Sequence, residues 1–314
     1  KVKSKYNGKE TGVMHACGHD THVAILMGVA EYMSKNNDFP GTIKFIFQPA
    51  EEGAPDGEEG GADLMIEEGV LENPKVDAIF GLHINSGTHV GKVRYRTKGI
   101  MASSQRFVID VRGKQAHGAR PWMSVDPILI SAKIIDGLQS IISRNSDLTK
   151  AAAVISVGSI QSGIRFNIIP ETAQLIGTIR TLDSEMKEII RQRLNTLVPS
   201  IAEAYGGKAT VKIQDGAPIT FNDPKLTNQM VPTIERVLGK KNVEFIDAVT
   251  GAEDFSYFQL KIPGFYFFLG GTPLNTPETD APSHHTPEFF VDDSALEYGV
   301  NVLIAMAKDY LKNK

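Results

Sequence analysis

The middle of the chain follows an order of strand and helix patterns that restricts the fold to a few possibilities. Its strand segments have apolar residues at every second position, and its helix segments have them three or four residues apart. The order is β-α-β-β-α-β, which is typical of a ferredoxin-like domain, and we predict such a domain at about 99–213. The segments are 105–113, 124–142, 152–160, 172–181, 183–205 and 208–214.

Residues 1–98 and 214–314 are predicted to form one α/β domain that the middle domain interrupts. These parts alternate between helical spacing and short apolar runs, and this alternation favours a mainly parallel sheet. The strand patterns are 42–48 (TIKFIFQ), 76–84 (VDAIFGLHI) and 264–271, and the helix patterns are 21–36, 61–69, 223–238 and 292–311.

The helix pattern at 21–36 also predicts which side of that helix is apolar. Apolar residues recur three and four positions apart from Thr21 onward, as they do on the buried face of an amphipathic helix. We therefore expect one continuous apolar face. Its predicted members are Val23, Leu26, Met27, Ala30 and Met33.

Composition narrows the classes of function. The 314 residues include 33 basic and 37 acidic ones, so the formal net charge is only -4, which favours neither nucleic acid nor a membrane surface as a partner. The apolar runs are far shorter than the ~20 residues of a membrane-spanning helix. Residues 1–12 are polar, so no signal peptide is expected. A single cysteine permits no internal disulfide, and we expect a reducing compartment, the cytoplasm.

The one cysteine, Cys17, lies in the stretch HACGHDTH, two residues before His19. Both precede a predicted helix, and the positive end of a helix dipole favours the thiolate form of a cysteine. A thiolate and an imidazole form a good ligand pair for zinc, and His15 and His22 add to the cluster. A cysteine nucleophile with a histidine base has a similar pattern, so both interpretations stay open.

Further glutamate and histidine residues follow the predicted strands of the α/β domain. Any of them taken alone is more often a surface or a core residue than a ligand. Ligands of open α/β sheets bind beyond the carboxyl ends of the strands, so side chains at several such ends can meet. The residues are Glu51 and Glu52 after 42–48, His83 within 76–84, and His284 with His285 after 264–271.

Taken together, the motifs resemble a known family over essentially the whole chain. It is the family of metal-dependent amidohydrolases and metallopeptidases that includes hippurate hydrolases, N-acyl-amino-acid deacylases and auxin-conjugate hydrolases. The resemblance implies a zinc-peptidase-like catalytic domain interrupted by a ferredoxin-like lid and dimerisation domain. The motifs are MHACGHD, QPAEEG, DAIFGLH, QAHGARP, NIIPETA, GTIRT, TGAEDF and SHHTPEF.

The resemblance also implies roles for individual residues. It predicts a site for two divalent metal ions, with zinc favoured by the thiolate and with manganese, cobalt or nickel as alternatives. Glu51 corresponds to the general base, and His285 is preferred to His284 because the family's ligand directly precedes a Ser/Thr-Pro pair. The implied ligands are Cys17, His19, Glu52, His83 and His285, and the implied substrate-binding residues are His117 and Asn167.

The implied reaction is hydrolysis of the amide bond of an N-acyl amino acid by a metal-bridged water, in a homodimer or higher homo-oligomer formed through the lid. One alternative is a metallo-carboxypeptidase or dipeptidase that acts on short peptides. Others are a cysteine amidase and a catalytically impaired metal-binding homologue. The last alternative arises because family members usually carry an Arg-Ala-Asp-x-Asp-Ala-Leu-Pro stretch upstream of the Cys-His motif, which this sequence does not contain.

Overall fold

The computed structural model of the chain describes residues 3–6, 8–54 and 57–313. Within these ranges, no helix combines the length and the apolar composition that a membrane span requires. The α-helices are α1 (His19–Lys35), α2 (Gly61–Glu67), α3 (Pro127–Ser140), α4 (Ser184–Ala204), α5 (Pro224–Leu238), α6 (Ser256–Gln259) and α7 (Ser294–Lys312). The strands are β1 (Lys3–Tyr6), β2 (Lys9–Gly12), β3 (Ile79–His89), β4 (Val93–Tyr95), β5 (Lys98–Met101), β6 (Ser103–Arg112), β7 (Ala116–His117), β8 (Ala153–Ser162), β9 (Ile168–Ile169), β10 (Thr172–Thr181), β11 (Lys208–Asp215), β12 (Thr220–Asn222), β13 (Val243–Phe245) and β14 (Gly264–Thr272).

The chain forms two compact units. The second unit extends beyond the predicted 213 and also includes a later segment, because backbone bonds join that segment to it. The N–H of Ala102 donates to the carbonyl oxygens of Val249 (3.2 Å) and Gly251 (2.8 Å). The first unit is Lys1–Lys98, Phe221–Asp247 and Phe258–Lys314, and the second is Gly99–Thr220 and Ala248–Tyr257.

The second unit contains an antiparallel sheet with the strand order β11-β6-β10-β8. Helices α3 and α4 pack on this sheet, and the chain order β6-α3-β8-β10-α4-β11 is the β-α-β-β-α-β order that the sequence predicts. Every fourth residue of α4 is buried from Met186 through Ile190 and Leu194 to Val198, so one helical row faces the core. Phe107 and Leu175 fill the core from the sheet side.

The first unit contains a mixed sheet with the order β13-β4-β14-β3. Strand β14 pairs parallel with β3 and antiparallel with β4, and β13 pairs parallel with β4. All residues of β14 are buried, which explains why GFYFFLGGT is an uninterrupted run of apolar and small residues. Helices α1, α5 and α7 pack with this sheet, so the element order positions the amino end of α1 near β3.

The prediction of a strand at 42–48 is wrong. Among the described residues, none forms a β-ladder with this segment, which is irregular in the structure. Its apolar side chains are still partly buried, since Ile43 and Phe45 pack against the cluster around Val29. The Lys44 ammonium donates to the carbonyl oxygen of Val70 at 2.8 Å. An apolar run predicts burial, but a strand also needs a hydrogen-bonding neighbour, and the pattern carries no information about that neighbour.

The predicted apolar face of α1 is only partly correct. The buried residues are Thr21, Ile25, Val29 and Met33, a row with four-residue spacing. Val23 and Met27 are 46% and 60% exposed instead. The reason is tertiary: α1 packs against α7 along one row of side chains, as expected when i, i+4 ridges form the contact.

Alanine substitution distinguishes the two faces of α1. Ile25→Ala is expected to lower the free energy of unfolding by roughly 2–5 kcal/mol, because Ile25 is 1% exposed and its loss leaves a cavity. Met27→Ala is expected to change this free energy by less than about 0.5 kcal/mol, because its side chain lies in solvent. Urea unfolding of both variants measures the difference, and equal losses would contradict the observed packing.

Candidate metal centre

A glycine turn brings the cysteine loop against β3. Gly18 has a φ of +89°, in the left-handed region that favours glycine, and α1 begins at the next residue. A Cβ atom at Gly18 would lie 2.4 Å from Cγ2 of Ile84. Because that atom is absent, the loop lies close to β3, and Sγ of Cys17 is 3.4 Å from Nε2 of His83.

His83 presents one defined nitrogen to this site. Its Nδ1 lies 2.6 Å from the carbonyl oxygen of Ile84, which can only accept, so Nδ1 carries the proton and Nε2 has the free electron pair. Burial lowers the pKa of His83 to about 4, and the neighbouring histidines add to this effect while the Ile84 carbonyl opposes it. The ring is therefore neutral at pH 7, which is the form that binds a metal.

Two adjacent glutamates follow the irregular 42–48 segment. A tight turn begins at Ala50, which has a φ of +56°, and the N–H of Gly53 donates to the Ala50 carbonyl at 3.1 Å. Nε2 of His19 lies 3.7 Å from Oε2 of Glu51 and 3.9 Å from Oε1 of Glu52. Both carboxylates therefore approach the histidine at the start of α1.

His285 completes the group from the loop that follows β14. Its N–H donates to the carbonyl oxygen of Ala16 at 2.7 Å, so the loop is bound directly to the Cys17 segment. Its φ is +62°, an unusual value for a residue with a side chain. Nε2 of His285 lies 3.2 Å from Oε1 of Glu52. The strained backbone is typical of residues that the surrounding structure holds in a functional position.

The same loop is anchored by a carboxylate further upstream. Glu278 accepts from the backbone N–H of His89 at 2.8 Å and from the Arg94 guanidinium at 2.8 Å. Burial acts to raise the pKa of this carboxyl, but these donors and Lys92 outweigh it and hold the pKa below its usual range. Glu278 is therefore charged at neutral pH and connects the loop of His285 to the sheet.

The structure brings the five expected ligands and Glu51 together in the first unit. Their potential ligand atoms fall into groups of three, and the atoms of each group lie within 4.8 Å of one another. Two of these groups share Cys17. One thiolate, imidazoles and carboxylates are donors that suit zinc and related divalent ions. The groups are Cys17 with His19 and His83, Cys17 with Glu52 and His285, and His19 with Glu51 and Glu52.

Comparison with known proteins decides the family. The model of peptidase family M20/M25/M40 matches residues 2–309. The chain belongs to this family. This result confirms the resemblance seen in the motifs and the predicted α/β fold class, and it identifies the M20-family chain as a hydrolase.

Relatives of this M20-family chain include peptidases and deacylases. Thermostable carboxypeptidase 2 of Saccharolobus solfataricus is 41% identical over 297 residues, which are 94% of this chain and 73% of the relative. N-acetyl-L-cysteine deacetylase of Bacillus subtilis is 37% identical over 309 residues, which are 98% of this chain and 70% of the relative. A solved structure, the Bacillus subtilis YXEP protein, is described as a dinuclear metal-binding peptidase from the M20 family. It has a TM-score of 0.76 and 32% identity, and the match covers 96% of this chain and 74% of that chain.

The two expected substrate-binding residues of the M20-family chain lie in the second unit. His117 is in β7 and pairs with Ile168 of β9, next to Asn167. The N–H of Gly118 donates to the Asn167 carbonyl oxygen at 2.8 Å. The side chains of His117 and Asn167 are both exposed. His117 and Asn167 are thus close to each other, and their role in binding substrate stays a prediction.

The family resemblance gives a ligand role to neither His22 nor His284 of the M20-family chain, although the sequence analysis counts both among the histidines of the candidate site. Nε2 of His22 accepts from the N–H of Ile84 at 2.9 Å, and Nε2 of His284 accepts from the N–H of Ser86 at 3.1 Å. Burial is the main reason that both pKa values lie below the usual range. The repetition of histidine in HDTH and SHH is the only signal in the sequence, and it does not separate ligands from hydrogen-bonding partners.

Proposed function

We propose that this chain is a metal-dependent amidohydrolase that cleaves N-acyl amino acids to an acid and an amino acid. The observation that supports the proposal is the convergence of Cys17, the two glutamates and three histidines from four separate segments. Such a concentration of thiolate, imidazole and carboxylate donors is typical of metal sites, and a bound cation would offset the repulsion between the two adjacent carboxylates.

The donor set fits two divalent ions. In this proposal Cys17, His19 and His83 would hold metal as one donor group, and Cys17, Glu52 and His285 would hold it as the other. When bound, the ions would act as Lewis acids and lower the pKa of a water molecule toward neutrality. Zinc suits the thiolate best, and manganese, cobalt or nickel accept the same ligands. We also place the chain in the cytoplasm, because a chain with one cysteine fits a reducing compartment.

Glu51 is assigned as the general base. Oε2 of Glu51 lies 3.7 Å from Nε2 of His19, whereas Oε1 of Glu52 lies 3.2 Å from Nε2 of His285. The two carboxylates therefore have different surroundings. Glu51 accepts a proton from water as the water oxygen attacks the amide carbonyl carbon. It then donates that proton to the amide nitrogen as the carbon–nitrogen bond breaks. His117 and Asn167 of the second unit are assigned to substrate binding, which is the role that the family resemblance implies for them.

A second candidate function is that of a carboxypeptidase, and the 41% identity with thermostable carboxypeptidase 2 favours it. Both candidates cleave an amide bond next to a residue with a free carboxylate. They differ in the group on the other side of the bond, which is a simple acyl group in one case and a peptide in the other.

Amine release from a substrate panel tests the proposal. We expect turnover of N-acetyl amino acids or hippurate to exceed that of dipeptides and blocked peptides, and we expect a chelator to abolish it until zinc or manganese is restored. Faster cleavage of the peptides would favour the carboxypeptidase. Turnover that survives the chelator but stops with a thiol alkylator would indicate a cysteine amidase. Two bound metal ions without turnover would indicate a binding homologue.

We also propose a homodimer through β8. This strand is an edge of its sheet and has neither charged residues nor proline, which are the usual protection against edge pairing. The other edge strand, β11, carries Lys208, Lys212 and Asp215. Ile160 of β8 is exposed, as are Ile164 and Phe166 in the following loop. An uncharged edge next to exposed apolar side chains is suited to antiparallel pairing with the same strand of a second copy.

Sedimentation velocity tests the β8 interface. Ile160→Lys is expected to convert a dimer to a monomer, because it places a charge on the pairing edge. Thr210→Lys on β11 is the matched control, because Thr210 is also an exposed residue of an edge strand. The Thr210→Lys variant is expected to stay dimeric. A monomeric wild-type chain, or a dimeric Ile160→Lys variant, would contradict the proposal.

A further inference from the structure

Strand β3 is an edge strand, and its outer edge is covered by side chains. It pairs with β14 on one side. Ile84 and Ser86 are two residues apart, so their N–H groups point to the same edge. These groups donate to Nε2 of His22 (2.9 Å) and Nε2 of His284 (3.1 Å). Two imidazoles, one from α1 and one from the loop after β14, therefore take the place of a neighbouring strand.

These hydrogen bonds define the state of both rings. A nitrogen that accepts from a backbone N–H has no proton, so each neutral ring carries its proton on Nδ1. Nδ1 of His284 lies 3.2 Å from the carbonyl oxygen of Cys17 and donates to it. His284 therefore bridges β3 and the cysteine loop. Because their Nε2 electron pairs are engaged, neither His22 nor His284 has that nitrogen available for a metal.

The two rings also enclose the ring of His83. The centroids of His22 and His83 are 4.6 Å apart with an interplanar angle of 76°, and those of His83 and His284 are 5.3 Å apart with an angle of 79°. Both are edge-to-face contacts, which is a preferred geometry for aromatic rings. The orientation of His83 is thus limited on two sides, in addition to its own bond to Ile84.

We infer that His22 and His284 are positioning residues that hold Cys17 and His83 in their ligand geometry without binding metal themselves. The inference rests on the proposed metal centre. Histidine suits both positions because it combines a flat ring with an acceptor nitrogen. A phenylalanine would keep the ring contacts but leave the N–H of Ile84 or Ser86 without an acceptor, whereas a glutamine retains an acceptor and a donor.

Cobalt binding tests the inference, with Co²⁺ alone as the probe. We expect His284→Phe and His22→Phe to weaken Co²⁺ affinity by about 10- to 100-fold and to change its visible absorption spectrum, as outer hydrogen-bond partners of ligands do. His284→Gln and His22→Gln are expected to recover most of the affinity and the wild-type spectrum. His15→Phe is the matched control, because His15 belongs to the same motif but is exposed.

Folded phenylalanine variants with unchanged affinity and spectrum would overturn the inference. A glutamine variant that loses Co²⁺ as completely as Cys17→Ser would show that the ring is a ligand. A wild-type chain that binds no Co²⁺ would instead refute the proposed function. If the phenylalanine variants do not fold, nitrogen NMR of histidine-labelled wild-type protein with zinc decides. We expect Nδ1 of His22 and of His284 to be protonated, and we expect the chemical shift of each Nε2 to show no sign of a bound metal. Any other state of either ring would contradict the inference.

Discussion

Replacement of Glu51 by glutamine is expected to reduce kcat for an N-acyl amino acid by about 10²- to 10⁴-fold, the usual contribution of a general base. Glutamine has nearly the same shape but cannot accept the proton of the attacking water or return it to the amide nitrogen. The substitution is expected to leave KM and the metal content near their wild-type values. Steady-state kinetics and metal analysis of the same preparation measure both quantities.

The neighbouring residue provides the control. Glu52→Gln is expected to lower the metal content, because Glu52 forms a donor group with Cys17 and His285. Glu51 also belongs to a possible donor group with His19 and Glu52, so the opposite assignment has a clear signature. Loss of metal in Glu51→Gln with retention in Glu52→Gln would reverse the roles of the two carboxylates.

Gly18→Ala is expected to lower the free energy of unfolding by roughly 2–5 kcal/mol. An alanine in the left-handed region costs about 1–2 kcal/mol, and forcing an extra atom into a packed site costs about 1–3 kcal/mol more. The new Cβ would lie 2.4 Å from Cγ2 of Ile84, so the cysteine loop must move away from β3. Since Cys17 and His19 flank this residue, we expect metal affinity to fall as well.

Gly12→Ala is the matched control for this substitution. Gly12 lies in β2, and a Cβ atom there has nothing within 4 Å and no unusual φ. Its expected effect on the unfolding free energy is below about 0.5 kcal/mol. Urea unfolding and metal titration of the two variants make the comparison. Equal stability in both would mean that the turn at Gly18 relaxes without cost, which would contradict its role in bringing Cys17 to β3.

The long helices and the longer strands of the chain were predictable because periodicity indicates burial, whereas strands of three residues such as β4 and β13 are too short to show a periodic pattern and were not predicted. Helix α4 and strand β10 follow repeats of 3.6 and 2 residues, and both lie where these repeats indicate. The segment 42–48 shows the limit of this reasoning. Its apolar residues are partly buried as expected, but no described residue forms a ladder with it, and partner choice is a long-range property.

The sequence by itself determined which chemistry the chain carries. A cysteine before a helix, two adjacent glutamates and several histidines are residue types with strong preferences for metals, and the motifs that contain them resemble the family that the comparison confirms. Only the tertiary structure decided how these groups are arranged, because their distances depend on contacts between residues far apart in the chain. Examples are the sharing of Cys17 by two donor groups and the use of His22 and His284 as hydrogen-bond acceptors for β3.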